Sequence, residues 1–208
     1  MTPTPRRALI VIDVQNEYFT GRLRIEHPPV ADSLPRITQA MDAAQAAGIP
    51  VVVVQQNAPE TSPVFAHGSE SWQLHEAVAR RPHSLRIDKN LPSAFTGTGL
   101  ADWLAQQQVD TLTVVGYMTH NCDASTIYEA THRGLQVEFL HDATGALPYA
   151  NDAGSATAEE IHRVFSVVFH SRFAAVASTD AWVAAVQAGT PLPRGNIPAS
   201  HAAAIAAR

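Results

Sequence analysis

Thr111-Leu112-Thr113-Val114-Val115-Gly116-Tyr117-Met118-Thr119-His120-Asn121-Cys122-Asp123 is the stretch that decides the fold. Thr111 to Val115 is a short β-branched apolar run halted at Gly116, the pattern of a buried strand that stops at a turn. Beyond it, Ser125 to Arg133 has helical spacing, with Ile127, Tyr128 and Ala130 near one face. Asn121 reads as the N-cap of that helix and Gly134 as its stop. Strand, turn and helix in that order put Cys122, the single cysteine of the chain, in the first turn of a helix.

A helix start offers unpaired N–H groups and a positive dipole end, which favour an anion, lower a thiol pKa and can hold an oxyanion. Asp123 beside the thiol and an apolar setting work the other way. A cysteine so placed is also what a small buried hydrophobe looks like.

Working outward, Ala8 to Ile12 is a continuous apolar run ending at Asp13, as expected of a parallel strand covered on both faces. Ser33 to Ala47 reads as an amphipathic helix with Pro35 in its first turn and Gly48 after it. Ile49 to Val54 is a second buried strand. Residues 57–71 form a polar loop with Pro59 and Pro63, too long for a plain connection and therefore a candidate cover for a substrate. Trp72 to Arg80 reads as a short helix stopped by Pro82, and Leu85-Arg86-Ile87 as a third strand that delivers Lys89. Leu100 to Gln108 is the helix before the cysteine strand. Gln136 to Leu140 makes a fifth strand with His141-Asp142 at its end. Thr157 to Phe169 is a helix with Glu159 and Glu160 in its first turn, Phe173 to Ala177 a sixth strand, and Asp180 to Ala188 the last helix. The tail 189–208, with Pro191, Pro193 and Pro198, reads as irregular.

Alternation of strand and helix through six units, without repeats, predicts a three-layer α/β/α domain spanning 1–208 around a six-stranded parallel sheet, for which the standard doubly wound order 3-2-1-4-5-6 is taken. Ligands in such sheets bind at the carboxyl ends of the strands, where strand order reverses. Strands one and four are neighbours there. The topology therefore brings Asp13 and Cys122 together, while Lys89, after strand three, has to lean back toward them.

Fourteen Lys and Arg against nineteen Asp and Glu give a net charge of −5 without blocks, so there is no basic footprint for nucleic acid or an anionic membrane. The expected partner is a small molecule. One cysteine excludes an internal disulfide and fits a reducing compartment. Met1 to Arg7 lacks the apolar segment of a signal peptide and no run reaches membrane-spanning length, so the expectation is a soluble, cytoplasmic protein. His67 with His75, and His162 with His170, are not at common ligand spacings. Gly97-Thr98-Gly99 lacks a third glycine and a preceding strand, which argues against nucleotide binding. No cofactor and no metal are expected.

With these residues in hand, the chain resembles the isochorismatase-like cysteine hydrolases, the superfamily that includes nicotinamidases and N-carbamoylsarcosine amidohydrolase. The resemblance is carried by Ile12-Asp13-Val14-Gln15-Asn16, by Lys89 within Asp88 to Phe95, by Gly116 to Cys122 and by His141-Asp142-Ala143, and it covers roughly residues 8–179. It implies a triad of Asp13, Lys89 and Cys122. In it Asp13 is the general base, Lys89 stabilises the charged pair, and the Cys122 thiolate attacks an amide-type carbonyl to form a thioester. It also implies a non-proline cis bond three residues before the cysteine, here Met118–Thr119, which frees the Thr119 N–H to join the Cys122 N–H in an oxyanion hole. A homo-oligomer, dimer or tetramer, is favoured by the same resemblance.

Two departures stand out. Relatives that bind zinc carry an Asp-x-His motif after strand two, whereas this chain reads Gln55-Gln56-Asn57-Ala58-Pro59. Asp123 stands where many relatives have an apolar residue. The resulting expectation is a metal-independent hydrolase of a C–N bond in a small amide, carbamoyl or lactam-like substrate, with Phe19, Trp72 and Tyr117 as candidates to line the pocket. Two other readings are vinyl-ether hydrolysis of isochorismate, whose enzymes lack the cysteine, and a non-enzymatic thiol sensor or binding protein, which needs neither Asp13 nor Lys89.

Overall fold

The computed structural model describes residues 4–208, so the first three residues of the Met1–Arg7 stretch lie outside it. In chain order the main elements are β1 (Arg7–Ile12), α1 (Val30–Ala46), β2 (Val51–Gln56), α2 (Glu76–Ala79), β3 (Leu85–Lys89), α3 (Leu100–Gln106), β4 (Thr111–Tyr117), α4 (Ala124–His132) and β5 (Gln136–Gly145). Then follow β6 (Tyr149–Asn151), β7 (Gly154–Ala156), α5 (Ala158–Val168), β8 (Ala175–Ala177), α6 (Thr179–Ala188) and α7 (Ile197–Ala206). Six strands form one parallel sheet in the order β3-β2-β1-β4-β5-β8, the expected order with β8 as the sixth strand. β6 and β7 pair separately as an antiparallel hairpin.

Because successive strand residues face opposite ways, β1 feeds two cores. Leu9 and Val11 pack with Val51, Val53 and Val115 against Ile37 and Met41 of α1 and Trp182 of α6. Ala8, Ile10 and Ile12 pack with Val52, Val54 and Val114 against Leu100 and Leu104 of α3, Ile127 of α4, and Phe169. Each such aliphatic side chain, fully removed from water, contributes roughly 1.5–3 kcal/mol, which is why the unbroken apolar runs become the middle of the sheet.

β1 and β4 close tightly at their carboxyl ends. Ile12 is in register with Gly116, and a Cβ placed on Gly116, whose φ is +114°, would fall 2.1 Å from the Ile12 carbonyl oxygen. Only glycine fits here. The next residue after Ile12 is Asp13, itself at φ +50°.

Several boundaries differ from the sequence reading. α1 begins at Val30 rather than Ser33, so Pro35 lies in its second turn, and β2 runs Val51–Gln56. β4 continues through Gly116 to Tyr117, and β5 extends to Gly145, carrying His141 and Asp142 inside the strand. The helix expected at Trp72 shrinks to α2, because Leu74 is bridged to Gln15 and the His75 side chain caps the Ala77 N–H. The tail is not irregular throughout: Asn196 caps the Ala199 N–H and α7 follows, with proline in its first turn where a missing N–H costs nothing. None of the α7 residues is buried. Among the described residues no helix is long and apolar enough to cross a membrane.

Candidate active site

Three strand ends deliver the three chemistry-bearing side chains. Asp13 follows β1, Lys89 is the last residue of β3, and Cys122 follows β4. Lys89 does lean back: its Nζ lies 2.7 Å from Asp13 Oδ2 and 3.3 Å from Cys122 Sγ, and donates to Gln56 Oε1 at 2.6 Å. Lys89 thus ion-pairs with Asp13 while hydrogen-bonding to Gln56 and Cys122. Asp13 is 0% exposed, Lys89 2% and Cys122 5%, so the trio is held almost wholly out of water.

Burial governs its electrostatics. Asp13 is raised above the ordinary carboxylate range by desolvation, which the Lys89 charge and hydrogen bonds from Lys89 and Cys122 offset only in part. Burial by itself pulls Lys89 down, but Asp13 and then Cys122 outweigh it and hold the ammonium above its usual value. The Cys122 thiol is pushed well up by burial and by the Asp13 charge, against the pull of Lys89. The apolar setting thus prevails over the helix start, and the resting site is a neutral thiol beside an Asp–Lys ion pair.

Cys122 reaches this position on a π-helical turn, Thr119–Asp123, that runs into α4. Asn121 is consequently inside the turn and is not an N-cap. The non-proline cis bond is Tyr117–Met118, one residue earlier than expected. The reason lies in the carbonyl that follows: Met118 O accepts from the Asn121 and Asp123 N–H groups, which commits the Met118–Thr119 peptide to the helical turn. The expected release of the Thr119 N–H by a cis bond is therefore not seen, and Thr119 and Cys122 both lie in that turn. π-turns of this kind recur at functional sites.

The surroundings of the trio include side chains that the sequence reading did not single out. Gln56 holds Lys89. Tyr18 is buried, and its hydroxyl stands within electrostatic reach of Cys122, Asp13, Asp123 and Tyr149, which together with burial holds the phenol well above its usual range. Tyr149, on the hairpin, senses Cys122 as well and packs its ring edge-on to His120 at 4.9 Å. Both ring nitrogens of His120 are buried without a hydrogen-bond partner, and burial lowers its pKa to about 4. A tyrosine in an N-E-Y-F run, or one at a hairpin end, carries no signal by itself; only the fold reveals these neighbours.

Of the three aromatic candidates, Phe19 stacks on His75 at 4.3 Å and meets Tyr117 at 5.8 Å. Trp72 packs against His67, and its indole N–H donates to the Asn57 side chain, tying the ends of the 57–71 loop together. Tyr117 is fully buried with its hydroxyl 2.8 Å from Ser33 Oγ in α1, which places it behind Tyr18 in the packing. Beyond β2, Gln55 Oε1 accepts from the Arg86 guanidinium and Gln56 Oε1 from Lys89, so neither amide oxygen is left to serve as a ligand. Among the described residues no three His, Cys, Asp or Glu gather as a group that could hold a metal ion.

Comparison with known proteins agrees with this fold. An isochorismatase domain model matches residues 7–181. A crystal structure from Burkholderia xenovorans LB400, classed as an isochorismatase, superposes with a TM-score of 0.98 at 68% identity and covers 99% of both chains. A cysteine hydrolase from Pseudomonas syringae pv. phaseolicola 1448A gives a TM-score of 0.81 at 26% identity, over 88% of this chain and 93% of its own. A secreted isochorismatase effector of Verticillium dahliae is 29% identical over 68% of this chain and 74% of its own length. The ureidoacrylate amidohydrolase of Methylobacterium radiotolerans is 26% identical over 90% and 82%.

Proposed function

Because the chain belongs to the isochorismatase family, a family of hydrolases, we propose that it is a metal-independent cysteine hydrolase that cleaves the C–N bond of a small amide, carbamoyl or lactam-like substrate. The observation that carries this reading is the Lys89 ammonium set between Asp13 Oδ2 at 2.7 Å and Cys122 Sγ at 3.3 Å in a buried site. A vinyl-ether hydrolase has no need of a nucleophile, and a thiol sensor has no need of a buried acid and base beside its sulfur.

In the proposed cycle Asp13, made more basic by burial, takes the thiol proton as sulfur attacks the carbonyl carbon. Lys89 balances the resulting negative charge on sulfur and then on oxygen. The Cys122 amide is assigned to that oxygen, a donor worth about 3 kcal/mol. As the tetrahedral adduct collapses, the C–N bond breaks, the nitrogen takes the proton from Asp13, and a thioester remains. Water then gives a proton to Asp13 and its hydroxyl to the carbonyl, which releases the acid and restores the thiol. Tyr18, Tyr149 and His120 are the proposed substrate neighbours along with Phe19. A homo-oligomer is part of the proposal, supported by α7, a helix with no fully buried residue.

The test is a screen of purified protein against small amides, ureido acids and lactams for ammonia or amine release, with intact-mass detection of an acyl adduct on Cys122. Turnover with an adduct supports the reading. Hydrolysis of isochorismate without an adduct, the activity suggested by the Verticillium relative's name, overturns it.

A further inference from the structure

Asp123 follows the nucleophile directly, and its carboxyl is tied into a row of side chains that the triad does not use. Thr144 Oγ1 lies 2.5 Å from Asp123 Oδ2, Thr119 Oγ1 lies 3.1 Å from Thr144 Oγ1, and His162 Nδ1 lies 3.0 Å from Thr119 Oγ1. Asp123, Thr144 and Thr119 are wholly buried and His162 nearly so. The second carboxyl oxygen, Asp123 Oδ1, is buried without a partner.

A proton count constrains this row. Its three hydrogen bonds need three protons, and the two hydroxyls supply two. The third comes from one end or the other. Either His162 carries it on Nδ1 and Asp123 is a carboxylate, or Asp123 is a carboxylic acid and Nδ1 is bare. In the first arrangement every group donates toward Asp123; in the second every group donates toward His162.

We propose that Asp123, Thr144, Thr119 and His162 form a proton relay, through which the carboxyl beside the nucleophile exchanges its proton at His162 and changes the charge next to the Asp13–Lys89 pair. The shift balances. Nδ1 gives its proton to Thr119, Thr119 gives its own to Thr144, and Thr144 gives its own to Asp123 Oδ2. A proton taken up from outside at Nε2 leaves the imidazole neutral, changed only in tautomer.

The groups around both ends place this exchange in the neutral range. Burial first, and then the Asp13 charge, raise Asp123 to about 7, against the Thr144 hydrogen bond and the Lys89 charge; the phenols of Tyr18 and Tyr117 also feel its charge, and Cys122 precedes it in the chain. Burial, with His27, His141 and His120 nearby, lowers His162 to about 4 against the opposing hydrogen bond of its ring to the His141 backbone, so the ring stays neutral while Asp123 titrates. As an acid Asp123 leaves the Asp13–Lys89 pair balanced. As a carboxylate it adds a negative charge that opposes ionisation of the thiol.

The consequence for turnover rests on the hydrolase reading, whereas the relay belongs to the resting protein and is tested without substrate. Nitrogen-15 NMR of the His162 ring reads the tautomer directly. Nδ1 is expected to pass from bare at about pH 5.5 to protonated at about pH 8.5 in the wild type, the ring remaining neutral throughout. Asp123→Asn, whose amide N–H donates along the row as the acid does, is expected to hold Nδ1 bare across the range. Thr144→Val is expected to abolish the transition and Thr144→Ser to restore it, which separates loss of the hydroxyl from a loosened fold. Alkylation of Cys122 by iodoacetamide is expected to show an inflection near the same pH in the wild type and none in Asp123→Asn. A wild-type tautomer constant across the range, or a transition that survives in Asp123→Asn, overturns the relay whether or not any amide is hydrolysed.

Discussion

Lys89 Nζ stands 2.7 Å from Asp13 Oδ2, and neither side chain reaches solvent. Each therefore depends on the other: a buried ion pair is costly to halve, because the survivor is left charged and unsolvated. Lys89→Met is expected to lower stability by about 3–5 kcal/mol in chemical denaturation, and the added Asp13→Asn change to recover much of that loss. Additive losses in the double variant would show that the pair is not coupled.

Removing the sulfur is a different matter. Cys122→Ala is expected to unfold close to the wild-type temperature yet form no acyl adduct and turn over no substrate. Asp13→Asn keeps the shape but cannot accept the thiol proton, so kcat should fall by roughly 10²–10⁴-fold. Near-normal turnover by Cys122→Ala ends the nucleophile assignment.

Asp123 makes a pH-dependent contribution to stability with a definite sign. Its folded pKa of about 7 lies above the ordinary carboxylate value of 3.8. Between those values the folded state holds a proton that the unfolded state has lost, so stability falls as pH rises through the window. Asp123→Asn removes that dependence. Its stability relative to the wild type should improve between about pH 4 and pH 7, by an amount on the order of 2–4 kcal/mol, and then level off. Denaturation midpoints across this range check it, and a flat difference would refute the raised pKa.

At the opposite end of the sheet Arg7 and Glu138 form a second buried pair, 2.8 Å apart, with Glu138 also accepting from Thr113 and from the Trp182 indole. This network joins β1, β4, β5 and α6 far from the thiol. Glu138→Ala is expected to cost about 3–5 kcal/mol of stability while leaving kcat of the folded fraction unchanged. A change in kcat at a temperature where the variant is fully folded would contradict that separation.

With Gln55 and Gln56 engaged by Arg86 and Lys89, elemental analysis is expected to find no stoichiometric zinc, and chelator to leave activity unchanged. Activity lost to EDTA and returned by zinc would overturn this.

What could be read in the sequence followed from contrast. Asp13, Lys89 and Cys122 were legible because a polar or reactive group closes a strand or lies in the turn after one, because the doubly wound strand order sets strands one and four side by side, and because the family resemblance joins the three. The relay was not, since Thr119, Thr144 and His162 are spread over more than forty residues and threonine in a strand is ordinary. Arg7 and Glu138 sit 131 residues apart within apolar runs, where nothing local pairs them. The cis bond was misplaced by one residue because its position depends on which carbonyl starts the helical turn. The hairpin and α7 were missed for want of apolar periodicity, the hairpin being three residues a side and α7 presenting no buried face.

Gly116 bears on how such a protein can diversify. Where β4 meets β1 there is no side chain at all between the two backbones, so the spacing from acid to sulfur is gauged by main chain against main chain, as by a jig. Core residues can be exchanged over long stretches of descent without retuning that gap. Selectivity, which falls to the 57–71 loop and the 149–156 hairpin in our reading, hangs on separate pieces of chain. One can wander while the other is held to gauge.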